Sequence, residues 1–428
     1  MPTTLADWLD HQQRVHPRAI ELGLDRVRTV WNRLGSPRPA PFVITIGGTN
    51  GKGSTVAFLE AILRADGKHV GAYTSPHLLR YNERVRIDDI DVGDAALVEA
   101  FERIEAARGD IALTYFEYGT LAAFILFARA GLDVALLEVG LGGRLDAVNI
   151  IDADVAVVTT IDLDHQDWLG NDRESIGREK AGVFRAGCPA IIGESAPPRG
   201  LLDEATRIGA ALLIAERDFH AEVRRDDWRW SSDTTELILA HPALDAPSQH
   251  ANAAAAIMAI HTSRARLGWN AVAIAQGVAS ARAPARLQRF AGSPELIIDV
   301  AHNPQAARTL AAWLTTDATK GRTFAVFGAL ADKDVRGIVE PLLDAIDAWQ
   351  LTSLAGESPR GLDASALEEL VRSARSGIEI AAVHASVESA LAAAFALARS
   401  GDRIVAFGSF FVAAATIRFA EKRGLVSS

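Results

Sequence analysis

The chain is 428 residues long, 49% hydrophobic and 23% charged, enough for two cores of ordinary domain size and unlike a disordered chain. A formal net charge of -10 at pH 7 excludes a general nucleic-acid surface, which needs a basic footprint, though not a local basic pocket. The single cysteine, Cys188, excludes an internal disulfide, fits a reducing compartment and reads as a small buried hydrophobe beside Pro189. Residues Met1 to Asp10 lack the basic and apolar segments of a secretory signal. The longest apolar run, Gly119 to Ala128, is too short to span a bilayer and reads as a buried helix. A cytoplasmic protein without a membrane partner is expected.

In chain order, Leu5 to Leu34 mixes spaced apolar residues with charges and breaks at Gly35, Pro37, Pro39 and Pro41, a connector after which ordered folding is expected to begin. Phe42 to Ile46 predicts a strand, Gly47 to Gly53 a glycine loop and Thr55 to Arg64 a helix. Further buried strands are predicted at Val134 to Val139, Val155 to Ile161 and Ala190 to Ile192, with helices at Asp94 to Ala107 and Glu117 to Ala130. Phe219 to Leu239 alternates around Asp226 and Asp227 and predicts a peripheral hairpin. Helices are predicted at Ser248 to Arg264 and Ala271 to Ser280, and a domain boundary in Ala281 to Ala285. Beyond it, strands at Glu295 to Val300, Thr323 to Phe327, Ala348 to Thr352, Ile378 to Val383 and Arg403 to Phe407 predict a second, smaller sheet of Rossmann-like kind. The class is α/β.

The strongest local signal is Gly47-Gly48-Thr49-Asn50-Gly51-Lys52-Gly53-Ser54-Thr55 between a strand and a helix. Its glycines let the backbone curl around phosphate oxygens, the helix N-terminus offers N–H groups and Lys52 a positive charge. It departs from the general P-loop pattern in having Gly53 directly after the lysine. Alone, it implies a bound nucleoside triphosphate without choosing between kinase, switch and ligase. Glu138 ends an apolar strand before Gly140-Leu141-Gly142-Gly143, on the rim where ligands of open α/β sheets lie, and Asp162-Leu163-Asp164-His165 ends another. Magnesium prefers oxygen, so His165 by itself reads as a satisfied polar histidine, and Lys180 as an ordinary helical lysine.

These segments occur in order over nearly the whole chain with Ser75-Pro76-His77-Leu78, Thr114-Tyr115-Phe116-Glu117, Asp146-Ala147, Gly177-Arg178-Glu179-Lys180-Ala181-Gly182, Asp299-Val300-Ala301-His302-Asn303-Pro304 and Asp332-Lys333-Asp334. Together they resemble the Mur ligase superfamily and, within it, the folylpolyglutamate synthase and dihydrofolate synthase family. The resemblance implies a P-loop Mur-ligase-like ATPase domain over residues 1–284 and a smaller Rossmann-like glutamate ligase domain over 285–428. It implies that Gly48, Thr49, Asn50, Gly51, Lys52, Gly53, Ser54 and Thr55 hold the ATP phosphates, and that Asn252, Arg286, Asp299 and His302 hold the rest of the nucleotide, residues of both domains converging on it. Ser54 is implied near a first magnesium; Ser75, Glu138 and His165 match positions holding a second. Lys180 matches a position that carbon dioxide can convert to an anionic carbamate ligand of that second metal region. Thr114, Phe116, Asp146 and Ala147 match the pterin site, although Phe116 reads equally as core from its own pattern.

The implied reaction joins a folate-type carboxylate to the amine of L-glutamate through an acyl phosphate, with Lys52 and Mg2+ masking charge on ATP. Lys52 and Lys180 are the expected catalytic residues, with His302 a weaker candidate for the amine base. His16-Pro17-Arg18-Ala19-Ile20-Glu21-Leu22-Gly23-Leu24 resembles bacterial members acting on both dihydropteroate and reduced folates. Phe410-Phe411-Val412-Ala413 departs from the family's His or Tyr and then Thr after Gly408-Ser409. The expected partners are these small molecules alone, and the chain is expected to be a monomer. Rival readings are a tail-extending synthase only, a cell-wall Mur ligase, for which the residues before the phosphate loop leave no room for a carrier-binding domain, and a non-catalytic nucleotide switch.

Overall fold

The computed structural model describes residues 2–427 apart from Pro17, Ala19 and Ser376. Two residues of the segment that resembles bifunctional bacterial members, Pro17 and Ala19, therefore lie outside the described residues. The chain divides into two units, Met1–Ala243 with Gln249–Arg282, and Leu244–Ser248 with Ala283–Ser428.

The first unit is built on eight strands: β1 (Phe42–Gly47), β2 (Val70–Tyr73), β3 (Val85–Ile87), β4 (Ile90–Asp91), β5 (Val134–Glu138), β6 (Val155–Val158), β7 (Pro189–Ile192) and β8 (Ala211–Ile214). Their spatial order is β4-β3-β2-β5-β1-β6-β7-β8. From β2 to β8 neighbours are parallel, while β3 and β4 pair antiparallel at one edge. Every residue of β1, β5 and β6 is buried, as expected of parallel strands covered on both faces by helices. Because β5, β1 and β6 are adjacent and parallel, the segments that follow Glu138, Gly47 and Val158 leave the sheet at one edge.

Ordered structure starts earlier than the sequence predicts. Helices Leu5–Val15 and Asp25–Arg33 precede β1, and Trp8, Val27, Val30 and Trp31 are buried in the main core; the connector is short and the segment before it is amphipathic. The predicted strand Val155 to Ile161 stops at Val158 because Thr159 and Thr160 turn out of the sheet to bond the phosphate loop. The predicted hairpin is a three-stranded antiparallel sheet, β9 (Phe219–Val223), β10 (Trp228–Ser232) and β11 (Glu236–Leu239), whose alternation sends Trp228 and Trp230 inward, fully buried. The helix predicted through Arg264 breaks after Thr262. Cys188 is half-buried, not buried as expected.

The second unit contains β12 (Gln288–Phe290), β13 (Glu295–Ile298), β14 (Thr323–Phe327), β15 (Ala348–Thr352), β16 (Ile380–His384) and β17 (Arg403–Phe407) in the order β12-β13-β17-β14-β15-β16. All pairs but β12 with β13 are parallel. The loop after β13 carries Asp299 to Asn303, and Ser409 after β17 caps the helix Phe410–Lys422.

Candidate active site

The phosphate loop runs from β1 into the helix Lys52–Ala65, whose N-cap Gly51 has φ 87° and no side-chain cap, so first-turn N–H groups point outward for an anion. Gly48 adopts φ 136°, and a Cβ there would lie 1.9 Å from Thr159 Oγ1. Thr159 in turn donates its hydroxyl to the loop at Asn50 O, 2.5 Å away. Thr49 N donates to Thr160 O at 2.7 Å. The Thr49 hydroxyl donates to Asp162 O and accepts from Asp162 N, both at 3.1 Å. Asn252, buried, stands against the loop so closely that a Cβ on Gly51 would be 2.4 Å from its Oδ1. Of the loop's hydroxyls, Ser54 is 1% exposed on the first helical turn and Thr55 returns its own to Gly51 O at 3.0 Å.

Lys52, expected from the sequence to carry positive charge to the phosphates, is held within the loop. Its Nζ donates to Gly48 O at 3.1 Å and Thr49 O at 3.2 Å. Lys180 Nζ donates to the same Gly48 oxygen at 3.0 Å, although the sequence marks it as an ordinary helical lysine. Lys180 is 4% exposed. Burial, followed by repulsion from Lys52, pushes its ammonium down to about 7, against the pull of Asp164, Glu179 and Asp146. The glycines before it make this placement possible: a Cβ on Gly143 would lie 3.0 Å from Glu179 O and Lys180 O, and Arg144 N donates to Glu179 O.

Glu138 is buried at the end of β5 and accepts from Ser75 N at 3.1 Å. His165 has φ 52°, opens the short helix Gln166–Leu169 and places Nε2 3.9 Å from Asp164 Oδ1. Among the described residues no group of three or more His, Cys, Asp or Glu could hold a metal ion. The donors Ser54, Ser75, Glu138 and His165 supply one carboxylate and one imidazole. Ser75, Glu138 and His165 suit one divalent cation and the Ser54 hydroxyl another, with phosphate oxygens completing each set, the way magnesium is held with nucleotides.

The expected pterin positions carry local structural work as well. Thr114 caps the helix Tyr115–Ala130 in a reciprocal box with Glu117, accepting from Glu117 N. Asp146, fully buried, accepts from Gly140 N, Leu141 N and Val148 N at 2.9 to 3.0 Å, which folds the glycine loop around it, and burial pushes its carboxyl up to about 6. Ala147 follows it, buried. Phe116 packs over that loop: a Cβ on Gly140 would be 2.6 Å from its ring. The opening segment, whose sequence resembles bifunctional bacterial members, joins this wall through Gly23 N donating to Leu145 O at 3.3 Å. Thr159 and Thr160 were also missed; the signal was a pair of hydroxyls ending an apolar run.

In the second unit, Asp299 is part-buried and accepts from Leu287 N at 3.0 Å and Ala301 N at 2.7 Å, and desolvation raises its carboxyl. His302 Nδ1 donates to Val300 O at 2.7 Å. The Arg286 guanidinium lies 5.7 Å from the Phe410 ring, between Ala285 and Leu287, both at positive φ. Such backbone is costly for a residue like leucine and collects at functional sites.

A phosphate loop, an adjacent buried carboxylate and a buried lysine at the carboxyl edge of a parallel sheet, with a second α/β unit after it, define a ligase of the Mur type. Residues 46–193 match the Mur ligase middle domain and residues 285–410 the Mur ligase glutamate ligase domain. The dihydrofolate synthase/folylpolyglutamate synthase of Escherichia coli K12 is 47% identical over 98% of this chain and 96% of its own length. That of Mycobacterium tuberculosis is 35% identical over 83% and 78%. Escherichia coli FolC in complex with DHPP and ADP superposes with a TM-score of 0.92 at 45% identity, over 99% of this chain and 100% of its own. The bifunctional enzyme of Yersinia pestis complexed with AMPPNP and Mn ion gives 0.89 at 43%, over 98% and 100%. The chain belongs to the dihydrofolate synthase/folylpolyglutamate synthase family. No helix among the described residues is long and apolar enough to cross a membrane.

Proposed function

We propose that this chain uses ATP and a divalent cation to join L-glutamate to dihydropteroate and to reduced folates. The observation that carries the reading is the pairing of Lys52 and Lys180 on the Gly48 carbonyl beside a buried Glu138 at the same sheet edge. The phosphate loop binds the triphosphate, and Lys52 turns from Gly48 O and Thr49 O to its oxygens. Ser54 would stand near one divalent cation, and Ser75, Glu138 and His165 would hold a second; such ions would neutralise phosphate charge. The organic carboxylate then attacks the terminal phosphorus, ADP leaves, and the glutamate amine displaces phosphate from the acyl phosphate to give the amide. The neutral amine is the form of a lysine that attacks carbon dioxide, losing a proton as the carbamate forms, so Lys180, with its ammonium pushed down to about 7, is the residue to carry a carbamate in the working enzyme. Asn252, Arg286, Asp299 and His302 are assigned to the nucleotide, and Thr114, Phe116, Asp146 and Ala147 to the pterin. His302 is also assigned as a candidate for the amine base. The enzyme works in the cytoplasm as a monomer.

The deciding experiment supplies purified protein with ATP, Mg2+ and labelled L-glutamate, and either dihydropteroate or tetrahydrofolate. Label is expected in both products. Label in the folate product alone would reduce the assignment to tail extension, and label in neither would remove it.

A further inference from the structure

Arg84 closes the short helix Tyr81–Arg84 and is 9% exposed. Its Nε donates to His77 Nδ1 at 2.8 Å, and the guanidinium carbon lies 5.4 Å from the Tyr81 ring centroid and 5.5 Å from that of Tyr115. Its carbonyl accepts from Thr74 N, the residue before Ser75. Arg84 is thus fastened between the Ser75 loop and the Thr114–Phe116 turn. Its neighbour Arg86 is also part-buried, but it has Glu60 at 2.7 Å. Arg84 has no such partner: among the described residues no carboxylate comes within ion-pair distance, and neither terminal nitrogen donates to a protein acceptor. The nearest acid in sequence, Glu83, is engaged by the N–H groups of Leu78, Leu79 and Arg80.

A guanidinium this buried without an anion is costly, because the lost hydration is not replaced. Aromatic faces recover only part of it. One nitrogen fixes the plane on His77 while the other two stay open, the geometry that receives a carboxylate in a two-bonded fork.

We propose that Arg84 binds the spectator carboxylate of a folate substrate, the carboxylate of its existing glutamate that does not react. The proposal rests on the function above. Dihydropteroate has a single carboxylate, which is the reacting one, so it has nothing to offer Arg84. Arg84 therefore separates the two reactions of one site, contributing to the binding of folates and little to that of dihydropteroate.

The test compares tetrahydrofolate with an analogue whose spectator carboxylate is a carboxamide, in the wild-type chain, and repeats both with dihydropteroate in Arg84→Met. In the wild type the amide should raise KM about tenfold or more, the scale of a lost charge-assisted fork. Arg84→Met should raise KM for tetrahydrofolate similarly, no longer distinguish acid from amide, and leave KM for dihydropteroate within about threefold. The wild-type comparison decides the matter even if the variant does not fold. Equal KM for acid and amide in the wild type, or an equal rise for both substrates in the variant, overturns the proposal while the function stands. Turnover of neither substrate by the wild type overturns the function, and the proposal with it.

Discussion

Lys52 Nζ and Lys180 Nζ both donate to the carbonyl oxygen of Gly48, at 3.1 and 3.0 Å. Two ammonium groups on one oxygen repel each other, and the more buried of the pair releases its proton first. Lys52 therefore helps to set the chemistry of Lys180.

The pH dependence of stability follows from this. Lys180 falls from 10.5 in the open chain to about 7 in the fold, so between those values the unfolded chain binds the extra proton and stability rises with pH. Below about 7 the full cost of a buried charge is present. Lys180→Met is expected to be more stable than the wild type at pH 6 by a few kcal/mol, on the order of 1.4 per unit of pKa depression, and the gap should close as pH rises towards 10. Urea titrations across that range measure it; a gap independent of pH would contradict the placement of the charge. Turnover should be lost in the variant at every pH.

Lys52→Ala is expected to abolish turnover. It loses two bonds to loop carbonyls, on the order of 1 kcal/mol each, but it also relieves Lys180. The melting temperature should change by only a few degrees, and the bicarbonate dependence of Lys180 modification, read by mass spectrometry, should shift to higher pH. Near-normal turnover would contradict the role given to Lys52.

Gly48→Ala places a methyl group 1.9 Å from Thr159 Oγ1 on backbone at φ 136°. Both the clash and the strain act against it, and ATP-dependent turnover is expected to fall by about a hundredfold or more. Thr159→Ala, added to it, removes the clash but not the strain, so isothermal titration with ADP should show partial recovery of binding.

Gly140→Ala pushes on the Phe116 ring, 2.6 Å from the new carbon. KM for dihydropteroate should rise about tenfold while KM for ATP stays near the wild-type value. A rise in KM for ATP alone would place Phe116 outside the pterin site.

Asp146→Asn retains one acceptor oxygen where Asp146 uses two for three N–H groups. Leaving a buried donor unmet costs about 1 to 3 kcal/mol. Thermal melts should show that loss together with weaker dihydropteroate binding in equilibrium titrations.

The two-sheet architecture was legible because the parallel strands are mostly apolar and buried throughout, as in β1 and β5, where no alternation confuses the reading. The phosphate loop was legible because its glycines stand between such a strand and a helix. Strand ends were not: Thr159 and Thr160 are β-branched and continue the pattern of β6, yet their hydroxyls serve the loop. The burial of Lys180 is invisible to local pattern because it depends on Gly143 drawing a distant segment of chain against its backbone. Thr114 and Glu117 carry the capping-box spacing, yet the sequence reading began that helix at Glu117, two residues late, because it followed the apolar run instead of the cap. Arg84 lacks any sequence mark, since an arginine's isolation is a property of what fails to surround it.

The pair of hydrogen bonds between the Thr49 hydroxyl and the backbone of Asp162 yokes the phosphate loop to the turn that bears His165. Neither can shift alone without stranding the other's polar groups. A shift of the phosphate loop is therefore expected to carry the His165 turn with it.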